Sequence, residues 1–595
     1  MDLPGPDGDN SIAREPLWYA YGAGDDAPEA PPWTWVPQPP PDTHVPPPSP
    51  RGDGPRTTLP LGTHDRLAAL PYPGARPGDA ARPPGGATAH RPGEVAGPPG
   101  GARAHRPGDA AGPLGRARAH SPGGAAGSPV SATAHHPGAP TAHHPGAPTA
   151  HHPGGPAAGP LAGPPVAPLA EPVEVRLGRA LVTAFGSQRR EPENPYNDHR
   201  PYASPRCLFP VHAFVDGGAD QPWRLLEPDR HALTGTPEGP AGNIVLTGRY
   251  TSVPAAYQWF RGSLVALELG FTLRALTLGL ELFDVPARLR LPGPDAHALL
   301  PALGLDDPWA WSLPLVVEVD GAGAGAGAAL PPIPAPPPRT PSLPTDPPGD
   351  LTRTDPALAE LIHVNRGQTY GSPPVPLTTA VPAGPGPSET VPDWAELLWR
   401  RHSGRMPRAL HGMTGRRSAV PAEVLDSAAR WLSVPPPGPE LAAVFDLLKV
   451  TAAVRGVEGS TDGVHRLRDG TAHLLRAAPD VPALLEERYG YGVSPVNGCG
   501  IRHAPLTVFL SVRVRELFER LGTPGWGAVQ HAAGWAAHGL CLSAAASGLF
   551  ARPVRAFQEI PTQRVLGLDP DEMIVLSVVV GVPQDTGGAL LDLRL

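Results

Sequence analysis

Residues 528–550 read AVQHAAGWAAHGLCLSAAASGLF, a stretch without a formally charged side chain that is long enough to cross a bilayer. However, Gln530, His531 and His538 interrupt its apolar residues, and alanine and glycine make up much of the rest. This composition predicts a small-residue helix that packs inside a protein. The apolar run MIVLSVVVG at 573–581 then predicts a buried strand that follows the helix.

An earlier part of the chain has the same order of segments. The stretch SLVALELGFTLRALTLGLELF at 263–283 has apolar residues at helical spacing. Glu268 and Arg274 interrupt it, so it predicts a buried helix and not a membrane span. The run LPLVVEV at 313–319 predicts a strand with both faces buried. Because helix, loop and strand recur in this order, the sequence predicts a tandem repeat of one α+β unit.

Composition divides the chain into four regions. Glycine and proline supply 71 and 88 of the 595 residues, and many of them lie in residues 1–171 and 321–354. Residues 1–171 carry His/Pro/Gly repeats and few large apolar side chains, so we expect a long, disordered low-complexity tail. Residues 321–354 are expected to be a Gly/Ala/Pro-rich linker. The remaining residues, 172–320 and 355–595, are long enough for two packed domains.

Charge and cysteine content narrow the function classes. The net charge of -8 and the isoelectric point of about 6.3 disfavour a nucleic-acid-binding protein. Cys207, Cys499 and Cys541 are too scattered for a disulfide framework, and the first residues show no signal peptide. We therefore expect a cytoplasmic protein without nucleic-acid or membrane partners. The paired histidines of the tail could bind a metal, but repeat expansion accounts for them, and we predict no metal site.

Motifs in both halves resemble those of one enzyme family. Residues 533–549 follow the pattern A-G-x-x-A-x-x-L-x-L-x-A-A-x-x-G-L, and with Leu-Gly-Leu-Asp at 566–569 they resemble the flavin-dependent nitroreductase fold. In the first half, YASPRCLFPVHAFV at 202–215 and WRLLEPDRHAL at 223–233 resemble the SagB-type peptide dehydrogenases. Those enzymes oxidise thiazoline and oxazoline rings to azoles in ribosomally synthesised peptides, and the tandem-domain enzymes of thiopeptide pathways are the most similar.

The resemblance implies an α+β fold in which two nitroreductase-like domains form an intramolecular pseudo-dimer around one FMN. In that family an Arg-Arg-Ser opening grips the FMN phosphate, and arginine offers a fork of donors that matches phosphate oxygens. A basic residue after the last strand reaches the same phosphate; Arg594 lies there, and Arg552 and Arg555 compete for the role. The alternative for the triplet is a solvated helix start. The cofactor-binding residues implied by the resemblance are Arg416, Arg417, Ser418, Ser204, Arg206 and Arg594.

The catalytic lysine–tyrosine pair of that family corresponds to Arg249 and Tyr250 in this chain. Arginine stays protonated and cannot act as a base, but Tyr250 could do so if the neighbouring Arg249 lowers its pKa. The alternative is that Tyr250 is a packed aromatic residue. The second half reads Arg520-Leu521 at the matching place, and in the first half Gln188-Arg189-Arg190 is a poor match to Arg-Arg-Ser.

Two histidines and a cysteine have alternative explanations. His531 and His538 are seven residues apart and share one helical face, but no further ligands lie near them in the sequence. Positions in the core or at the flavin edge are therefore favoured over a metal site. Cys207 has no base beside it and is expected to be a buried thiol.

The favoured function is an FMN-dependent oxidoreductase that dehydrogenates azoline rings in a ribosomally synthesised peptide. Its expected partners are an azoline-containing precursor peptide and, as further candidates, cyclodehydratase proteins. Two alternatives stay open. One is a catalytically degenerate scaffold that binds partners in a peptide-modifying complex, which the missing lysine favours. The other is a general NAD(P)H-dependent flavin nitroreductase.

Overall fold

The structure is a computed structural model. It describes residues 55–73, 171–191, 198–217, 223–235, 242–320, 347–383, 391–404, 418–488, 501–555, 557–583 and 590–594. These residues belong to one unit of the chain, and a second unit, Pro83–Gly159, lies outside them. Arg416, Arg417 and the histidine repeats of the tail also lie outside the described residues.

The helices are numbered in chain order. They are α1 (Thr63–Ala68), α2 (Val173–Phe185), α3 (Phe260–Leu282), α4 (Leu299–Ala302), α5 (Leu351–Thr354), α6 (Pro356–Arg366), α7 (Trp394–Arg400), α8 (Glu423–Leu432), α9 (Pro439–Leu447), α10 (Val481–Glu487), α11 (Val514–Leu521), α12 (Pro524–Ala546) and α13 (Glu559–Leu566).

The strands are numbered in the same way. They are β1 (Arg56–Thr58), β2 (Arg189–Arg190), β3 (Asp198–His199), β4 (Val211–Val215), β5 (Arg224–Glu227), β6 (Ala232–Thr234), β7 (Asn243–Gly248), β8 (Ala287–Arg290), β9 (Leu315–Val319), β10 (Val375–Pro376), β11 (Lys449–Val454), β12 (Gly463–Arg468), β13 (Thr471–Ala477), β14 (Leu506–Arg513), β15 (Phe550–Val554), β16 (Glu572–Gly581) and β17 (Leu591–Asp592).

Two sheets share one strand order. The first sheet runs β1-β6-β5-β4-β7-β9-β8-β10, and the second runs β13-β12-β11-β14-β16-β15. Without the outermost β1 and β10, each strand of the first sheet has its counterpart at the same place in the second, and the pairings are antiparallel. We call residues 171–320 the first half and residues 391–594 the second half.

The helices α3 and α12 are the buried centre of the fold, as their sequences predict. They cross at Gly270 and Gly534, where a Cβ atom on either glycine would lie 2.1 Å from a carbonyl oxygen of the other helix. Glycine therefore permits direct backbone contact between the helices. One continuous apolar cluster contains residues of both, for example Leu276 of α3 and Trp535 of α12.

A buried arginine joins segments that are distant in sequence. The guanidinium of Arg274 on α3 donates to the carbonyl oxygens of Trp535 (2.9 Å), Trp431 (3.2 Å) and Ala380 (2.9 and 3.1 Å). It also lies 5.4 Å from the ring centroid of Trp431 and 5.3 Å from that of Trp535. Burial lowers the pKa of Arg274 to about 9. The side chain therefore links α3 to α8, α12 and the segment that connects the two halves.

The C-terminal part of the chain crosses to the first half. Strand β17 pairs with β2, which pairs with β3, and these three strands form a small separate sheet. In addition, β10 lies inside the predicted second domain, 355–595, but pairs with β8 of the first sheet. Contacts of this kind make the described halves interdependent.

The prediction that residues 1–171 are disordered is wrong for residues 55–73. Strand β1 pairs with β6, and α1 follows it. Leu59, Leu67 and Tyr72 are each at most 5% exposed and belong to the main apolar cluster. These three side chains give this short segment the apolar surface that the repeats after it lack.

The long elements agree with the sequence patterns, and the boundaries differ. The helix predicted at 528–550 ends at Ala546, and Phe550 already begins β15. Among the described residues, α3 is the one helix that is long and apolar enough to span a membrane by length and composition, and 94% of its most apolar stretch is buried inside the protein.

Candidate functional site

Arginine side chains from both halves meet beside the small sheet. Arg189 of β2 and Arg594, which follows β17, both face the ring of Trp399 on α7, with guanidinium carbons 5.3 and 4.0 Å from its centroid. Arg189 also reaches the carbonyl oxygen of Arg401, 3.5 Å away. Arg401 in turn donates to the carbonyl oxygen of Arg200. We call Arg189, Arg200, Arg401 and Arg594 the arginine cluster; Arg200 belongs to it through its backbone carbonyl, because its guanidinium lies 3.9 Å from the ring centroid of Phe209.

Arg401 is the most deeply placed cation without a countercharge in this cluster. The residue is 4% exposed, and burial lowers its pKa. Within the described part of the chain, no carboxylate lies within 4.0 Å of its guanidinium nitrogens, and its Nε atom has no hydrogen-bond partner. A buried cation in such surroundings is destabilising unless an anion compensates it.

The other members of the cluster have partial countercharges. Arg200 lies 3.6 Å from Asp229, which also accepts a hydrogen bond from Ser187 Oγ at 2.5 Å. Arg594 is held by the carboxylate of Asp592 at 2.7 Å. Arg189 lies 4.0 Å from Glu191. These contacts fix the positions of the guanidinium groups.

Two histidines beside the cluster, His402 and His199, have lowered pKa values. Burial lowers the pKa of His402 well below its ordinary value, and the charges of Arg189 and Arg401 lower it further. Burial also lowers the pKa of His199, against the effect of the Glu191 carboxylate 3.2 Å from its Nε2 atom. Burial disfavours any charge here, whereas the charges of Arg189 and Arg401 favour an anion, and guanidinium groups are matched to phosphate.

Ser204, a predicted cofactor residue, binds a buried carboxyl group instead of standing free. Its Oγ atom lies 2.6 Å from Oε2 of Glu268 on α3 and accepts from the backbone N–H of Phe209 at 2.8 Å. The other oxygen, Oε1, accepts from the N–H of Val211 at 3.3 Å. Burial raises the pKa of Glu268 to about 8. This pair anchors the turn before β4, close to Arg200, whose charge acts on Glu268.

The predicted catalytic pair is separated by its contacts. Tyr250 is 2% exposed and belongs to the main apolar cluster. The guanidinium of Arg249 lies 3.5 Å from Asp307 and 5.9 Å from the ring centroid of Trp311. The side chain of Arg249 is thus directed to Asp307 and Trp311, and the prediction that Tyr250 acts as a base requires it to become accessible.

Three polar side chains of α12 are buried with atoms that lack partners. Among the residues that the structure describes, no hydrogen-bond partner is present for either side-chain polar atom of Gln530, for Nδ1 of His531 or for either ring nitrogen of His538. Burial lowers the pKa of His531 to about 4. Burial also lowers the pKa of His538 well below its ordinary value, and Arg274 and Arg401 lower it further. Neutral donors and acceptors therefore lie along the central helix, and of these His538 lies near Arg401.

The remaining predicted cofactor residues are placed unevenly. Arg594 is in the cluster, and the backbone of Arg206 lies in the short helical turn Pro205–Cys207. Ser418 precedes α8, where its hydroxyl donates to the carbonyl oxygen of Ala419 at 3.4 Å. No contact between Ser418 and the cluster is present within the described ranges. Arg416 and Arg417 lie outside those ranges.

Sequence reasoning missed Arg200 and Arg401 and set Arg189 aside. A signal for two of them exists in the chain: Arg189-Arg190 follows the end of α2 closely, and Arg401 directly follows α7. An arginine after the helix that opens each half is a repeated feature. The arrangement suits binding of a phosphate group. As for metals, no group of three or more His, Cys, Asp or Glu side chains that could hold an ion occurs in the part of the chain that the structure describes.

The fold is that of a solved nitroreductase structure. The crystal structure of an Anabaena variabilis protein assigned as a nitroreductase matches with a TM-score of 0.50 and 18% identity, covering 69% of this chain and 88% of that chain. This likeness defines a nitroreductase-like α+β fold.

Other solved structures match smaller parts of the chain. The Escherichia coli microcin synthetase McbBCD complex with truncated pro-MccB17 bound has a TM-score of 0.25 at 13% identity, with 29% of this chain and 67% of that chain covered. The NADPH:FMN oxidoreductase of Vibrio harveyi has a TM-score of 0.22 at 11% identity, with 33% and 71% covered. No protein-family model and no curated protein matches the sequence.

Proposed function

We propose that this chain is an FMN-dependent oxidoreductase that binds one FMN where its two halves meet, as an intramolecular pseudo-dimer. The observation that carries the proposal is Arg401, a buried cation without a carboxylate partner among the described residues, within a cluster that both halves supply. A phosphate dianion would compensate this charge through charge-assisted hydrogen bonds. The nitroreductase-like fold supports the same assignment.

The residues around the cluster fit the remaining parts of FMN. Its phosphate would be held by Arg401 with Arg189 and Arg594. The isoalloxazine ring has polar atoms along one edge, and buried neutral donors and acceptors are present on α12, nearest to Arg401 at His538. When bound, FMN supplies a two-electron acceptor. The chain's own contribution would be to orient the substrate, exclude water and hold the proton that leaves it.

The finer proposal is that the substrate is an azoline ring in a ribosomally synthesised peptide. It is supported by the resemblance of residues 202–215 and 223–233 to SagB-type dehydrogenases. Oxidation of the ring to an azole removes a hydride and a proton. Tyr250 is the proposed base, because Arg249 cannot accept a proton. A precursor peptide and cyclodehydratase proteins would then be the partners, and the cytoplasm the location.

Flavin content tests the coarser proposal. Purified full-length protein is expected to show flavin absorbance with about one FMN per chain. Arg401→Gln removes a charge-assisted contact of about 1.5–3 kcal/mol, so FMN affinity should fall about ten- to a hundredfold. Arg353→Gln is the matched control, because the Arg353 side chain is 79% exposed on α5. Unchanged affinity in Arg401→Gln would place the phosphate elsewhere.

The same titration tests the sequence-based phosphate site. The double variant Arg416→Gln/Arg417→Gln removes two such contacts and is expected to lower FMN affinity by about two to four orders of magnitude if that triplet grips the phosphate. A loss confined to this variant would favour the resemblance over the cluster. A loss confined to Arg401→Gln would favour the cluster.

One observation favours a second candidate function, a catalytically degenerate scaffold. Tyr250 is a member of the apolar core, and Arg249 is directed to Asp307 and Trp311. Neither side chain is therefore presented to a substrate. Single-turnover oxidation of an azoline peptide, followed by mass as the loss of two hydrogens, separates the candidates. A flavin-loaded protein that converts no peptide would favour the scaffold.

A further inference from the structure

The two sheets differ at one pair of corresponding edges. Strands β6 and β13 occupy the same place in the common strand order. The outer edge of β6 is covered by β1, whereas no strand of the described residues pairs with the outer edge of β13. Leu474 and Leu475 on β13 are 47% and 55% exposed. Exposed, apolar sheet edges are sites at which another strand can add.

The first sheet shows how a strand adds at this place. The three residues of β1 pair antiparallel with those of β6, and the pairing continues through Leu59 N–H to His231 O at 2.9 Å. A charge match accompanies it, because Arg56 of β1 lies 2.5 Å from Glu227, the last residue of β5. Strand β1 is thus held by backbone pairing with β6 and by one opposite charge on β5, the strand beyond β6.

The corresponding charges on the second sheet have the opposite sign. Strand β12, the counterpart of β5, carries Arg466 and ends at Arg468. The side chain of Arg468 is 77% exposed and lies 3.2 Å from the carboxylate of Asp469, a solvent-exposed pair that is weak and can exchange partners. These two arginines are paired in register with His473 and Thr471 of β13, so the four side chains share one face. In the first sheet, Arg56 of β1 is paired with Glu227. A strand added to β13 would instead place acidic side chains beside Arg466, Arg468 and His473.

The other face of β13 is apolar. Leu474 and Ala472 pair in register with His465 and Leu467, which are both buried. A register shift next to Leu474 limits the regular part of the edge to about the length of β1. The edge therefore suits a short segment in which acidic residues alternate with apolar ones.

We propose that the outer edge of β13 binds an extended segment of a partner polypeptide with alternating acidic and apolar residues, which adds to the second sheet as β1 adds to the first. This recognition is independent of the flavin site. Backbone pairing would supply affinity, and the Arg468 and His473 face would select acidic side chains. A second copy of the chain is a poorer occupant, because it would bring another basic hairpin to the same edge.

Peptide binding to the full-length protein tests this proposal. The probes are fluorescein-labelled peptides that alternate glutamate with valine or lysine with valine, read by fluorescence anisotropy. The glutamate peptide is expected to bind at least tenfold more tightly than the lysine peptide. Hydrogen exchange should show slower exchange of the amides of residues 471–477 when the glutamate peptide is bound.

A charge reversal provides the matched variants. Arg468→Glu/His473→Glu should reverse the preference, so that the lysine peptide binds more tightly. Arg353→Glu/His363→Glu changes an exposed arginine and an exposed histidine on α5 and α6 and should keep the original preference. Equal binding of both peptides, binding without protection of residues 471–477, or a dimer that protects these residues without peptide would each overturn the proposal.

Discussion

The helices α3 and α12 occupy the same place in the two halves but carry different chemistry. Their crossing at Gly270 and Gly534 makes Ala532 the counterpart of Glu268, and His538 the counterpart of Arg274. Arg274 satisfies carbonyl groups of three segments, whereas both ring nitrogens of His538 lack partners within the described ranges. The first helix therefore braces the fold, and the second leaves polar atoms unsatisfied where a ligand could meet them.

The arginine cluster shows the same division of roles. The first half supplies Arg189 and Arg200, and the second supplies Arg401, Trp399 and Arg594. Neither half contains the whole set. Two copies of one topology have thus diverged, and the candidate site depends on residues that differ between them.

Breaking the brace should have the largest effect. Arg274→Leu leaves the carbonyls of Trp535, Trp431 and Ala380 without their donor, so we expect the free energy of unfolding to fall by about 3–5 kcal/mol. The counterpart His538→Leu removes only unpartnered nitrogens and should change it by less than about 1 kcal/mol. Urea denaturation of both variants measures the difference. Equal losses would show that the two positions are equivalent.

The next largest effect is expected on the rate of azole formation when Tyr250 is changed; the second half has Leu521 at the matching place. If Tyr250 is the base, Tyr250→Phe should slow azole formation at least about a hundredfold, close to 2.7 kcal/mol of activation free energy, with FMN still bound. Tyr257→Phe makes the same change seven residues later and is the control. The measurement is single-turnover oxidation of an azoline peptide followed by mass. A wild-type rate in Tyr250→Phe would remove Tyr250 from the mechanism.

The covered and the bare sheet edges can be compared through single leucines. Leu67 on α1, beside the covered edge, is 5% exposed, so Leu67→Ala should lower the free energy of unfolding by about 2 kcal/mol. Leu474→Ala on the bare edge should change it by less than about 0.5 kcal/mol. Thermal or urea unfolding gives both values. A neutral Leu67→Ala would mean that residues 55–73 contribute little to stability.

The smallest expected effect is a pH dependence of the free energy of unfolding, which arises from α3 and has no counterpart in α12. Because burial raises the pKa of Glu268 to about 8, the native protein keeps a proton that the unfolded chain releases near its ordinary pKa. The free energy of unfolding should therefore fall as pH rises from about 5 to 8. Glu268→Gln resembles the protonated form and should flatten this slope. The same slope in both proteins would assign it to other groups.

Sequence patterns predicted the long elements because burial leaves a strong periodic signal. The apolar runs of α3, α12 and β16 needed no further information. The candidate site is different, since Arg189, Arg401 and Arg594 come together through β17 pairing with β2, a contact between distant parts of the chain. Arg594 was predicted from the resemblance. For Arg189 and Arg401 the one local signal, an arginine after the helix that opens each half, does not by itself distinguish them from surface arginines in an arginine-rich sequence. The short segment with Leu59 and Leu67 was missed because proline- and glycine-rich sequence surrounds it.

The pairing of β17 with β2 also has a consequence for biosynthesis. Residues 189 and 190 leave the ribosome long before residues 590–594, so the small sheet and the contact of Arg594 with Trp399 cannot form until the second half has been made. During translation β2 of the first half therefore has to remain without its partner strand β17, which the second half supplies. A protein truncated before residue 590 is therefore expected to retain both large sheets while leaving the arginine cluster incomplete.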